Sequence, residues 1–282
     1  MNSDGTVLLG GDSFAGVVNV QSGIMTLNGS MIHEPALTVN VNAQATLALG
    51  FDERIGDNAV ANINGILTLN GTETLTTFNL NGPGSTLNGS GLVLAETYNL
   101  ANGATTEAGA NLGSGVLNSD GTAEVTLNGN AATEDVNISS GTFNLNGQLT
   151  GVIDLTISGG ATVNLGSDER VYDPAVVNVF PGGTLNLNGT ETIHSYNSNG
   201  TLGLSPDAIS GTLVITESPI NLMDGHVSLN GTNLENLTGQ DPQLTSNGSV
   251  LISGTSDNSV PGPDNATVNV GTLDIQTGTL TL

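Results

Sequence analysis

Only two of the 282 residues are Lys or Arg, against 26 Asp and Glu. Both cations sit in the same short context. Arg54 lies in Asp52-Glu53-Arg54-Ile55-Gly56-Asp57, and Arg170 in Asp168-Glu169-Arg170-Val171-Tyr172-Asp173. Three chemistries fit an arginine set among carboxylates. Its planar fork matches a carboxylate bidentately, so each Arg can pair with the acids of its own loop and tether it. The same fork can reach an acidic neighbouring chain, which would make Arg54 and Arg170 docking residues. The third is calcium held by Asp52, Glu53 and Asp57, and again by Asp168, Glu169 and Asp173. Calcium takes about six to eight oxygens and a guanidinium opposes it, so this is the weakest of the three. No other cofactor is expected.

Catalysis finds little to work with. There is no Cys, hence no thiol chemistry and no disulfide. Cleaving acidic polysaccharide by β-elimination needs a strong base and cations to neutralise uronates. Two Arg in matching loops serve that poorly. Glycoside hydrolysis needs two carboxylates facing one groove, and the acids here are scattered over turns. His33, His194 and His226 stand apart with no ligand spacing. Aromatic platforms for sugars are scarce at 3%. No catalytic residue is assigned and no enzyme is expected.

The formal net charge is -24. Nucleic acid and anionic membranes both require basic side chains to displace counterions, so neither is an expected partner. Self-association, neighbouring or host surface proteins, and glycans remain. No stretch approaches the ~18 apolar residues of a membrane span, and Met1-Asn2-Ser3-Asp4-Gly5 has no basic region of a signal peptide.

A repeat positions all of these residues. Apolar, small polar, apolar triplets recur at Val18-Asn19-Val20, Val39-Asn40-Val41, Ala61-Asn62-Ile63, Phe78-Asn79-Leu80, Tyr98-Asn99-Leu100, Val136-Asn137-Ile138, Leu155-Thr156-Ile157 and Val177-Asn178-Val179. The centres step by about 20 residues, a solenoid period. A second series of Leu follows most centres: Leu27, Leu49, Leu69, Leu87, Leu127, Leu145, Leu165 and Leu187. The rung near residue 107 lacks it. Period-two alternation marks strands, and Asn-Gly pairs such as Asn70-Gly71 and Asn188-Gly189 supply the positive φ of sharp turns. A constant period favours stacked rungs over a meander, because each Leu then sits on the one before. The reading is an all-β, right-handed parallel β-helix, one solenoid over residues 1–282 with rungs of about 20 residues.

The units Ile66-Leu67-Thr68-Leu69-Asn70-Gly71-Thr72-Glu73-Thr74-Leu75 and Gly183-Thr184-Leu185-Asn186-Leu187-Asn188-Gly189-Thr190-Glu191-Thr192-Ile193 resemble the repeats of autotransporter passenger domains. The period is similar to that of filamentous haemagglutinin-type adhesins. The resemblance covers most of the chain and implies a right-handed β-helix, a bacterial cell-surface or extracellular location, and adhesion, aggregation or display. No membrane barrel of the autotransporter kind is recognisable.

A longer duplication underlies the twin arginines. Residues 45–82 match 161–200, whereas 200–265 is less regular and is expected to carry longer loops. Two functions follow: an extracellular structural and adhesive module, or a filament or sheath subunit stacking head to tail. The second rests on the strand-like Val7-Leu8-Leu9 and Thr279-Leu280-Thr281-Leu282 near the termini, where uncapped edges expose backbone to pairing.

Overall fold

The computed structural model describes residues 1–32, 37–198, 200–204 and 211–216. Beyond these it describes the backbone of strands Ile220–Leu222, His226–Leu229, Thr232–Asn236, Gln243–Ser246, Ser249–Leu251, Thr267–Asn269, Thr272–Ile275 and Leu280–Thr281. Every regular element among the described residues is a β-strand. They form two compact units, Met1–Glu134 and Asp135–Leu282, each a parallel β-solenoid.

In the first unit one sheet runs through Asn2–Ser3, Val17–Val20, Thr38–Val41, Val60–Ile63, Thr72–Asn81, Leu92–Ala101 and Val116–Asp120, each strand beside the one from the preceding turn. A second sheet runs through Thr6–Leu9, Gly23–Leu27, Ala45–Leu49, Ile66–Leu69, Thr86–Gly89, Thr105–Thr106 and Val125–Leu127. The second unit repeats the scheme from Asp135–Ile138 and from Gly141–Leu145, and adds a third sheet through Gly189–Ile193, Gly211–Ile215, Thr232–Asn236 and Thr267–Asn269.

The alternation explains the core. In each Val-Asn-Val-type triplet the flanking residues turn inward, so that Val39 and Val41, Ala61 and Ile63, and Phe78 and Leu80 are all buried. The Leu series splits into two internal columns. Leu27, Leu49 and Leu69 stack in register. Met25, Leu47, Leu67 and Leu87 form the column beside them. Leu87 therefore leaves the column of Leu69, whose partner is Gly89. Gly89 has φ 103, and a Cβ there would strike the carbonyl oxygen of Leu69. The missing Leu near residue 107 is replaced by Thr106, between Leu87 and Leu127. Its buried hydroxyl accepts the N–H groups of Asn128 and Gly129 at 3.1 and 3.2 Å. In the second unit Leu145 stacks on Leu165, and the Asn164–Asn186 register places Leu187 next in that column.

Aromatic side chains enter the core where a neighbour makes room. Phe78 lies between Ala61 and Tyr98, both rings fully buried. The Tyr98 hydroxyl accepts the Ala95 N–H at 2.8 Å and donates to the Val93 carbonyl at 2.9 Å. Burial of an aliphatic or Phe side chain contributes ~1.5–3 kcal/mol, so these columns carry most of the stability.

Candidate functional site

The matching arginine loops become twin corners that lock three successive turns together. At the first, Asp52 and Glu53 both reach forward to the next turn. Asp52 Oδ1 accepts the Thr72 N–H at 2.7 Å. Glu53 accepts the Thr74 N–H at 3.2 Å and the Thr74 hydroxyl at 2.8 Å. Glu53 has φ 49, a left-handed conformation that carries a cost for residues other than Gly. Gly71 is required beside it, since a Cβ there would crowd the Asp52 carboxylate at 2.5 Å.

The carboxylate at the centre of the corner is Glu73, fully buried. It points back from the next turn and accepts the Arg54 N–H at 2.9 Å and the Ile55 N–H at 2.5 Å. Its pKa is pushed up to about 8. Burial is the main cause, the two N–H bonds and Arg54 oppose it, and the charge of Glu53 adds to it.

The second corner reproduces the first. Asp168 accepts the Thr190 N–H at 2.5 Å. Glu169, again at φ 49, accepts the N–H and hydroxyl of Thr192 at 3.2 and 2.9 Å. Glu191, buried at 2% exposure, accepts the Arg170 and Val171 N–H groups at 2.8 and 2.7 Å. Burial again pushes its pKa up to about 8.

The arginines do not pair with these acids as expected. Arg54 Nε donates to the Asp52 carbonyl at 2.8 Å and Nη1 to the Asn28 carbonyl, one turn back, at 3.0 Å. Arg170 does the same with Asp168 and Asn146, both at 2.9 Å. The physical reason is competition. The carboxylates already accept N–H groups from the next turn, and the guanidinium donates to corner carbonyls instead. The loop is tethered, but through backbone oxygen. Among the described residues no group of three or more His, Cys, Asp or Glu is arranged to hold a metal. Asp57 and Asp173 are exposed. His194 is half-buried; His33 lies outside the described residues, and of His226 only the backbone is described.

Sequence reasoning missed Glu73 and Glu191. Their signal was Asn-Gly-Thr-Glu-Thr, which occurs only at 70–74 and 188–192, the turn after each arginine loop. It also missed what the triplet centres do. In the first unit their side chains form a continuous amide ladder. The Nδ2 groups of Asn19, Asn40, Asn62 and Asn79 each donate to the Oδ1 of the Asn one turn earlier at 2.8 Å. Asn99 and Asn118 extend it at 2.7 and 3.2 Å. In the second unit a ladder runs through Asn144, Asn164 and Asn186, both bonds 2.8 Å.

No family model, no curated protein and no solved structure matches the chain. The class that the fold defines is the parallel β-solenoid, and fold alone assigns no activity.

Proposed function

We propose that the chain is a structural and adhesive module of a bacterial surface protein, working outside the cell. The observation that supports this best is the amide ladder from Asn2 to Asn118, a polar surface repeated at every turn of a rigid scaffold. Such a surface presents one recognition element many times over, and weak contacts gain avidity when engaged together. The buried carboxylates, which would otherwise suggest proton chemistry, are occupied in holding corners. The acidic coat keeps the solenoid units soluble and turns them away from nucleic acid and anionic lipid. We assign no reaction to it.

Adhesion of protein-coated beads to cultured cells and to bacteria tests the reading. Beads carrying the folded chain are expected to be retained well above beads coated with an inert acidic protein. Equal retention on every surface would overturn it.

A further inference from the structure

A groove of about 420 Å³ runs beside the amide ladder on the first unit. One of its walls is the ladder itself, at Asn40, Asn62, Asn79 and Asn99, each in register with the next. The other wall follows two residues further along the same strands. There Asn81 is in register with Ala101, and Ala101 with Asp120; Asn64 begins that row. Members of a row are ~4.8 Å apart and the rows ~6.6 Å apart, the inter-strand spacing and two strand residues. Asn81 and Asp120 are exposed. Ala101 between them reduces the row to a methyl group, which leaves a hollow one side chain deep.

The groups around this hollow define what can fill it. An amide has two N–H donors and two lone pairs on oxygen. In Asn62 and Asn79 the ladder consumes one N–H and one lone pair. Each keeps one donor and one acceptor, repeated at every turn. A sugar hydroxyl, which donates and accepts at once, is the complement of that pair. The amides are held by their neighbours, so little side-chain freedom is lost on binding. Charge narrows the ligand further. Among the described residues that line the groove the only ionisable side chain is Asp120, and the protein carries -24 overall. Sulfates and uronates are repelled, while Asp120 can accept from a pair of neutral hydroxyls.

We propose that this groove binds an uncharged linear glycan laid across the turns, with its hydroxyls on Asn62, Asn79 and Asn99 and one sugar ring seated over Ala101 against Asp120. The proposal rests on the adhesive reading and gives it a ligand class. No aromatic ring stacks on the sugar, so a single groove binds weakly and avidity on a surface supplies the rest.

The test is a titration of the isotope-labelled full chain, read at the side-chain amide signals of Asn62, Asn79 and Asn99. The probes are cellohexaose, xylohexaose, chitohexaose and maltohexaose, with a galacturonic acid oligomer as the anionic comparator. At least one neutral hexasaccharide should move these signals at millimolar concentration, and the galacturonic acid oligomer should not. Ala101→Gln fills the hollow and should weaken binding tenfold or more while the cooperative unfolding transition is retained, although Ala101 is itself only 7% exposed. Asn164→Ala, in the second unit's ladder, should leave binding unchanged. The proposal is overturned if no neutral probe moves the signals, if Ala101→Gln binds as well as the parent, or if the acidic oligomer binds equally. Beads that adhere while no sugar binds would leave the adhesive reading standing and remove the groove from it. Sugar binding without bead adhesion would do the reverse.

Discussion

At the scale of single residues, Glu73 and Glu191 have the clearest consequences. Their folded pKa of about 8 lies above the ordinary 4.5, so the folded chain holds two protons that the unfolded chain releases. Stability from this source is complete below about pH 4.5 and is lost as pH rises toward about 8. Denaturant midpoints are therefore expected to fall between pH 5 and pH 8.5, as the unfolding free energy drops by up to a few kcal/mol per site, roughly. Replacing both residues by Gln, which resembles the protonated acid, should flatten that profile; an unchanged slope would show that other groups govern it. Arg54 makes a different prediction. Its bonds go to neutral carbonyls, so Arg54→Ala should cost about 1–2 kcal/mol with little change between low and high salt. A loss that vanishes in salt would restore the ion pair expected from the sequence.

At the scale of strands, the period carried the information. Triplet centres at Asn19, Asn40, Asn62, Asn79 and Asn99 predict the register that pairs them, because a one-residue slip would turn Val and Leu outward. Leu145→Asp places a carboxylate in the column between the turns, where an unpaired charge costs several kcal/mol; thermal unfolding should show loss of the cooperative transition. The sequence was less legible where chemistry depends on turns coming together. Leu87 slipped to the neighbouring column because Gly89 occupies the place beside Leu69, a swap invisible to a count of Leu. Glu73 lies 19 residues from Arg54, so no local window joins them. The arginines misled because neighbouring acids suggest pairing, whereas the fold spends those acids on Thr72 and Thr74.

At the scale of the whole molecule, charge dominates. With 26 acidic and two basic side chains, Coulomb self-repulsion opposes each compact unit. The corner arginines relieve little of it, being two positive charges against 26 acidic residues. Repulsion among exposed charges acts over a Debye length, ~10 Å at 0.1 M salt, which spans about two inter-strand spacings of ~4.8 Å. Screening should therefore reach carboxylates on adjacent turns, while the buried columns and amide ladders, being neutral, feel salt only weakly. The thermal midpoint is expected to rise steadily from 10 mM to 500 mM sodium chloride, most steeply at the low end. Calcium at equal ionic strength should add nothing further, because Asp52, Glu53, Asp168 and Glu169 already accept hydrogen bonds at the corners. A midpoint raised by several degrees with calcium beyond the matched sodium series would mean that the corners reopen to hold the ion, and their hydrogen-bonded form would then be one of two states.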